Sequence, residues 1–245
     1  MKNRKLLQLL KDNARAEGPI AIRMDATETD VHVYVNDVID SYWGASATAL
    51  ITALAGQQDK TVHLHINSPG GDVFEARAMS AAVVAHPGKV VAHIDGVCAS
   101  AATYLALACS EVRMTDGGLF MVHNSWTMAW GNKAELRDTA NLLEKIDGTI
   151  ISDYARKTGA STEQVVAWMD ATTWFTAQEA LDAKFIDAID PNTKQTSDAT
   201  QAHWNLSAYP NAPEQKEEQP EPDLSALAAQ QIQINRNRLR LIAPI

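Results

Sequence analysis

Two side chains of this sequence, Ser100 and His123, are of the types that nucleophilic catalysis requires. A serine hydroxyl reacts only when a neighbouring base takes its proton, and histidine is the most common such base. Ser100 lies where an apolar run ends and an alanine-rich stretch begins, so we expect its hydroxyl at a helix start, beside backbone amides that lack partners. Taken singly, such a serine is more often a helix N-cap, and such a histidine is more often structural.

A third feature is the segment Ser68-Pro-Gly-Gly, which follows the predicted strand TVHLHIN. Two consecutive glycines let the backbone approach a substrate closely, although a tight turn before a helix would use the same residues. Asp72 comes next, at a helix start where the helix dipole favours a negative charge. The segment is therefore a second candidate element of a site.

The rest of the chain alternates strands with helices. The patterns predict strands at 31–35, 61–67, 89–95 and 119–123 and helices at 46–55, 100–109 and 133–158. Capping-box patterns at Ser161 and Thr176 predict two further short helices, and the domain is expected to close near 187–190. Such alternation predicts an α/β domain with mostly parallel strands and right-handed crossovers.

In this order, strand-SPGG-helix, strand-GVCASAA-helix and strand-MVHNSW resemble the ClpP family of serine peptidases. More specifically, they resemble its shorter relatives that act as prohead maturation proteases in tailed phages. The resemblance covers about residues 30–190 and includes WFTAQEALDAKFIDAI at 174–189. It implies a ClpP/crotonase-like spiral of βα units with mostly parallel strands, together with a long protruding helix at 133–158.

Carried over residue by residue, the resemblance assigns the nucleophile to Ser100 and the general base to His123. The oxyanion hole would be formed by the backbone N–H groups of Gly71 and Ala101. The substrate would bind as an added strand along Gly70, Gly71, Asp72 and Val73.

The third position of the catalytic triad departs from the family pattern. Counting back from TAQEA, the position at which the family carries aspartate is occupied by Thr172, with Asp170 two residues earlier. A threonine hydroxyl could bond the imidazole N–H and hold its tautomer, but it supplies no negative charge for the imidazolium. Asp170 is the rival third member, since a shift of two residues near a helix cap would bring it into place. Slow or conditional activity is expected with Thr172.

The resemblance predicts an endopeptidase that works through an acyl-enzyme and cleaves scaffold and capsid proteins during head assembly. A Clp proteolytic subunit that works with an ATP-driven unfoldase is the nearer alternative, and the long C-terminal stretch argues against it. A crotonase-type hydratase or isomerase shares the fold and the two-amide oxyanion hole but needs no serine-histidine pair. A catalytically inactive ring or scaffold stays open because the triad aspartate is missing.

Composition disfavours several other classes of protein. Acidic residues outnumber basic ones by 30 to 21, and the net charge of −9 disfavours nucleic-acid binding, which needs a basic surface. Cys98 and Cys109 lie in an apolar stretch and are expected to be reduced thiols of a cytosolic protein. His63 and His65 alternate on one strand face without an evident third ligand, so neither a metal ion nor another cofactor is expected.

No apolar run approaches the roughly 18 residues needed to cross a bilayer, and the apolar part of the N-terminus is too short for secretion. We therefore expect a protein that does not associate with membranes and acts in the cytoplasm. If the protein is phage-encoded, this means the host cytoplasm or the prohead.

Four parts of the chain differ in composition. Residues 1–25 are predicted to be an appendage with a helix at 1–18, and residues 26–190 the ClpP-like domain. Residues 191–223 are predicted to be an acidic linker rich in Pro and Gln, whose few apolar residues cannot offset the entropy of ordering it. Residues 224–245 form a basic C-terminal segment. The family resemblance also implies a homo-oligomeric ring, with the helix at 133–158 in the contact between rings.

Overall fold

The computed structural model describes residues 22–191, 204–207 and 209–213, together with Asn13. All of these residues except Pro213 belong to one compact unit. The helix predicted at 1–18 lies outside the described residues apart from Asn13, and so does the basic segment 224–245.

The described residues form eight strands and six helices. The strands are β1 Arg23–Ala26, β2 Asp30–Val35, β3 Thr61–Ser68, β4 Val90–Ala99, β5 Glu111–Thr115, β6 Leu119–Val122, β7 Thr173–Thr176 and β8 Ala188–Asp190. The helices are α1 Ala47–Leu54, α2 Val73–Ala85, α3 Ala102–Leu107, α4 Lys133–Thr158, α5 Thr162–Asp170 and α6 Ala177–Asp182.

The strands form one sheet in the order β1-β2-β3-β4-β5-β8, with β6 beside β4 and β7 beside β6. The pairs β2/β3, β3/β4, β4/β5, β4/β6 and β5/β8 are parallel. Only β1/β2 and β6/β7 are antiparallel among these strands. The predicted α/β class with a mostly parallel sheet is therefore confirmed.

The two faces of the sheet differ in polarity. Along β2, Val31, Val33 and Val35 are buried in the hydrophobic core, and the residues between them are only partly buried. The same alternation continues on β3, where Val62 and Leu64 are buried. Successive side chains of a strand point to opposite faces, so an apolar residue at every second position places one face of the strand against the core.

Strand β4 runs through the predicted turn after residue 95 and ends directly before Ser100. Its first half pairs with β5, whereas Val97–Ala99 pairs with β6. The predicted strand end at 95 and helix start at 100 were therefore wrong, since α3 begins only at Ala102. A small residue at position 96 allows this path. A Cβ on Gly96 would lie only 2.9 Å from Oδ1 of Asn67 on β3, which is closer than such atoms approach each other.

The long helix α4 has the predicted bounds. Asn132 caps it in a capping box with Glu135, and Gly159 ends it in the left-handed region at a φ of 71°. Its first buried residue is Ile150, so its N-terminal two thirds contribute no fully buried side chain. The short helices predicted at Ser161 and Thr176 are also present, each with the predicted capping residue.

Part of the predicted linker packs against the sheet. Trp204, Leu206 and Tyr209 are 3%, 3% and 6% exposed, in contact with a group of residues that includes Val97 and Met121. The expectation that these three side chains are too few to order the chain is wrong for residues 204–207 and 209–212, here called the C-terminal strap. The reason is an apolar patch on the ends of β4 and β6, which no local pattern reveals.

Candidate active site

Ser100 follows β4 in a tight turn and has a φ of 55°, a conformation that is uncommon for a residue other than glycine. Its N–H donates to the carbonyl of Met121 at 2.9 Å, which ties the turn to β6. Ala101 occupies the N-cap of α3, and no side chain caps that helix. The alternative that Ser100 is only an N-cap is therefore wrong, and its hydroxyl is available for other contacts.

His123 follows the last residue of β6, and β6 lies beside the end of β4 through the pair Ala99 and Met121. This pairing brings the two residues together across neighbouring strands. The Nε2 atom of His123 lies 2.7 Å from Oγ of Ser100, within hydrogen-bond distance. Burial lowers the pKa of His123 to about 4, so the imidazole is neutral at pH 7. With its proton on Nδ1, it can accept the proton of Ser100.

The SPGG turn lies directly against Ser100. A Cβ on Gly70 would lie 2.8 Å from Cβ of Ser100, and the φ of Gly70 is 93°. A Cβ on Gly71 would overlap the carbonyl oxygen of Ile39, which accepts a hydrogen bond from the Asp72 N–H. Both positions therefore require glycine.

Two backbone amides next to the pair remain open. The N–H groups of Gly71 and Ala101 donate to no protein acceptor in the described parts of the chain. Both residues line the same cavity as Ser100 and His123. An oxyanion hole needs two N–H donors placed in this way beside a serine hydroxyl.

A cavity of about 450 Å³ opens at the pair and is walled mostly by apolar side chains of α4 and of the loop after His123. Its apolar lining consists chiefly of Val73, Phe74, Tyr104, Trp126, Met128, Trp130, Leu142, Leu143, Ile146, Ile150 and Tyr154. Phe74 and Trp130 are 64% and 83% exposed, so the rim presents large apolar surfaces to solvent. An apolar cavity beside a nucleophile suits an apolar substrate side chain.

The loop after His123 is held by the long helix. Asp147 of α4 accepts a hydrogen bond from the N–H of Ser125 at 2.7 Å. The side chain of Asp72 caps α2 by accepting from the N–H groups of Phe74 and Glu75, and Asp72 also lines the cavity. The predicted substrate residues Gly71, Asp72 and Val73 thus face the cavity, while Gly70 packs behind it on Ser100.

Neither predicted third member of the triad forms a hydrogen bond with His123. Thr172 is 9% exposed with a φ of 51°, and no hydrogen bond joins it to His123. Asp170 accepts a hydrogen bond from the Asn124 amide instead. Within the described ranges, the single hydrogen bond of His123 is the one to Ser100.

Tyr209 is a residue of the site that the sequence reasoning missed. Its ring meets that of His123 edge to face, with centroids 5.3 Å apart, and its hydroxyl donates to the carbonyl of Pro69 at 2.9 Å. The available signal was the recurrence of Trp204, Leu206 and Tyr209 in an otherwise polar tract.

The paired histidines of β3 belong to a different cluster, on the polar face of the sheet. Nδ1 of His63 lies 2.9 Å from Nε2 of His93, and Nδ1 of His65 lies 2.9 Å from Asp95. Nδ1 of His32 lies 3.0 Å from Nε2 of His65. Among the residues that the structure describes, no group of three or more His, Cys, Asp or Glu is arranged to hold a metal ion.

Cys98 and Cys109 are not joined in a disulfide, and burial raises the pKa of both thiols. In the part of the chain that the structure describes, no helix has the length and apolar character to cross a membrane.

The Clp protease family matches residues 21–193, and the chain belongs to this family of serine-type peptidases. The ATP-dependent Clp protease proteolytic subunit 1 of Leifsonia xyli is 28% identical over 156 residues, which are 63% of this chain and 79% of that protein. Subunit 2 of Mycolicibacterium paratuberculosis is 27% identical over 156 residues, 63% of this chain and 78% of that protein. Subunit 1 of Mycobacterium tuberculosis is 26% identical over 175 residues, 71% and 83% of the two chains.

Proposed function

We propose that this chain is a serine endopeptidase that cleaves protein substrates through an acyl-enzyme on Ser100. The observation that carries the proposal is the 2.7 Å approach of Ser100 Oγ to His123 Nε2 beside two open backbone amides. The residues proposed as nucleophile, base and oxyanion donors all line one cavity.

The geometry supports the following reaction. Ser100 Oγ attacks the peptide carbonyl while Nε2 of His123 accepts its proton, and the N–H groups of Gly71 and Ala101 stabilise the oxyanion. His123 then returns the proton to the leaving amine. A water molecule, activated by the same imidazole, releases the acyl group and regenerates Ser100.

The substrate backbone would lie as an added strand beside residues 70–73, with an apolar side chain in the cavity. The apolar lining from α4 supports a preference for Leu, Met or aromatic residues on the acyl side of the cleaved bond. Without a carboxylate at His123, the imidazolium that forms during attack is poorly stabilised, so turnover is expected to be slow.

As the biological substrates we propose scaffold and capsid proteins during phage head assembly, on the resemblance of the sequence motifs to prohead maturation proteases. In this role the protein acts in the host cytoplasm or the prohead as a homo-oligomeric ring. The second candidate is a proteolytic subunit that degrades proteins unfolded by an ATP-driven partner. It is favoured by the relatives above, which are ATP-dependent Clp protease proteolytic subunits.

A fluorophosphonate probe tests the enzyme class. The wild-type protein should be labelled on Ser100, and Ser100→Ala should abolish labelling while Ser110→Ala, which removes a hydroxyl bonded to the Val90 carbonyl, should not. A crotonase-type enzyme or an inactive scaffold would show no labelling. Cleavage of purified scaffold protein without ATP, against cleavage that needs an unfoldase and ATP, separates the two substrate classes.

A further inference from the structure

Tyr209 of the C-terminal strap touches the catalytic pair from outside the cavity, in a place that the proposed mechanism does not use. Its ring packs edge to face on His123 at an interplanar angle of 80°, and its hydroxyl donates to the carbonyl of Pro69. The side chain is 6% exposed. Tyr209 therefore contacts both the base and the turn that supplies an oxyanion donor.

The strap is anchored around the third triad position. The amide of Asn211 donates to the carbonyl of Ala171 at 3.0 Å, and Trp174 Nε1 donates to the carbonyl of Pro210 at 3.2 Å. These two anchors lie on the strap residues that follow Tyr209 and on the chain just before and after Thr172. Two hydrogen bonds thus hold the strap next to Tyr209 against residues 171–174. This is the segment that contains Thr172, where the family carries the triad aspartate.

The protonation state of the Tyr209 phenol follows from its burial. Burial raises the pKa of Tyr209. The phenol is therefore protonated at neutral pH and can remain the donor to Pro69.

We propose that Tyr209 is a positioning residue that holds the imidazole of His123 with Nε2 directed at Ser100. This inference rests on the proposed function. In a Ser-His-Asp triad the carboxylate fixes the orientation of the imidazole, and here His123 has no second hydrogen bond within the described residues. Packing must then restrict its rotation, and the ring of Tyr209 provides an edge-to-face contact for that purpose.

A strap that inhibits the enzyme would instead fill the substrate cavity. The lining of the cavity contains His123, Ser100 and Gly71 but no residue of the strap. Residues 204–207 and 209–212 therefore do not occupy this cavity, which favours positioning over inhibition.

The test compares Tyr209→Leu, Tyr209→Phe and the control Tyr34→Leu, which removes a ring on β2 far from the pair in sequence and outside the cavity lining. Tyr209→Leu should lower kcat about 10-fold, the upper range for one aromatic contact, with KM little changed. The acid limb of kcat/KM should move upwards in pH, because removing the ring admits water to His123, whose pKa burial lowers to about 4. Tyr209→Phe keeps the ring and should keep the wild-type acid limb, and Tyr34→Leu should match the wild type.

Circular dichroism checks that the variants are folded, and NMR of ring-labelled histidine reads the pKa of His123 without turnover. A folded Tyr209→Leu variant with the wild-type kcat and acid limb overturns the inference, and so does a variant with raised activity. If the wild type is labelled on Ser100 and the tyrosine variants do not differ from it, the positioning role alone is lost. If the wild type is neither labelled nor active, the proposed function fails and the role fails with it.

Discussion

The carboxylate of Asp170 accepts a hydrogen bond from the side-chain amide of Asn124 at 2.7 Å. Asn124 follows His123 directly in the chain. Asp170, the acid nearest in sequence to Thr172, therefore holds the residue after His123 and forms no hydrogen bond with His123 itself. Any influence of Asp170 on catalysis is then indirect, through the position of this loop.

Replacing Thr172 by aspartate should raise activity. Thr172 has a φ of 51°, where a β-branched residue is strained and aspartate is tolerated better. A carboxylate there would also supply the charge that the imidazolium lacks. Loss of the carboxylate from a Ser-His-Asp triad costs on the order of 10⁴-fold in kcat, so we expect a gain in kcat/KM of at least about 10-fold at pH 7. A peptide-cleavage assay with an apolar P1 residue measures it.

Replacing Asp170 by asparagine is the companion experiment. The substitution keeps an acceptor for the Asn124 amide, so kcat/KM should change by less than about 3-fold, as expected for an exposed polar pair. A fall of several orders of magnitude, together with no gain from Thr172→Asp, would instead make Asp170 the third member of the triad.

The candidate site could be predicted only in part. Ser100, His123 and SPGG each follow a strand, and the family resemblance assigned roles to them, but their approach depends on pairing between β4, β6 and β3. The partner of the imidazole could not be predicted from spacing, because a difference of two residues decides between Thr172 and Asp170. The contact of Tyr209 with His123 could not be predicted, since the apolar residues 204, 206 and 209 indicate some packing but not its place, 86 residues beyond His123 in the chain.

The two members of the catalytic pair should act as a unit. Ser100→Ala and His123→Ala should each lower kcat by at least about 10³-fold, and the double variant should lose little more, since either change removes the activated nucleophile. The measurement is kcat for the two single variants and the double variant. Additive losses would mean that the two side chains contribute separately, contrary to their 2.7 Å contact.

Gly70 should tolerate no side chain. In Gly70→Ala the new Cβ would lie 2.5 Å from the carbonyl oxygen of Ala99 at a φ of 93°, so backbone strain alone should cost about 1–3 kcal/mol of unfolding free energy. Gly148→Ala in α4 meets nothing within 4 Å and should instead stabilise the protein by roughly 0.5–1 kcal/mol. Urea unfolding of both variants measures the difference. Equal stability of the two variants would contradict the packing of Gly70 on Ser100.

The fold was more predictable than the site where its signals are local. The capping residues Asn132, Ser161 and Thr176 begin helices as their side chains predict. Strand β1 overlaps the predicted appendage 1–25, and its sequence RMDA carries no apolar alternation that would predict a strand. Pairing with β2 orders it, and such pairing is a long-range effect that no window of sequence contains.

Helix α4 should mediate self-assembly. Leu136 is 44% exposed on the part of the helix that contributes nothing fully buried. We expect light scattering to report a closed homo-oligomer at micromolar concentration, and Leu136→Lys to shift it towards smaller species without unfolding it. Asn141→Lys, on a different side of the same helix, is the control with the same change in charge. A monomeric wild type would contradict the ring.

The histidine cluster on the sheet should make the protein sensitive to acid. Burial first, and then the neighbouring His65 and His63, lower the pKa of His93 to about 4, although Asp190 and Asp95 act in the opposite direction. Because the unfolded chain binds this proton near pH 6.5 and the folded chain does not, the folded state binds fewer protons between the two values. Stability then rises with pH across that window.

The unfolding free energy should therefore be nearly constant above pH 6.5 and fall as the pH is lowered from 6.5 to about 4. Because His93 takes up a proton when the chain unfolds, the unfolding free energy should fall by up to roughly 3 kcal/mol across this pH range. His93→Gln removes this titrating group, so the fall in unfolding free energy between pH 6.5 and about 4 should become smaller by a similar number of kcal/mol. His86→Gln, which lies outside the cluster at the end of α2, should leave it unchanged. Urea titrations at several pH values measure the slope, and parallel curves for the wild type and His93→Gln would show that His93 does not carry the effect.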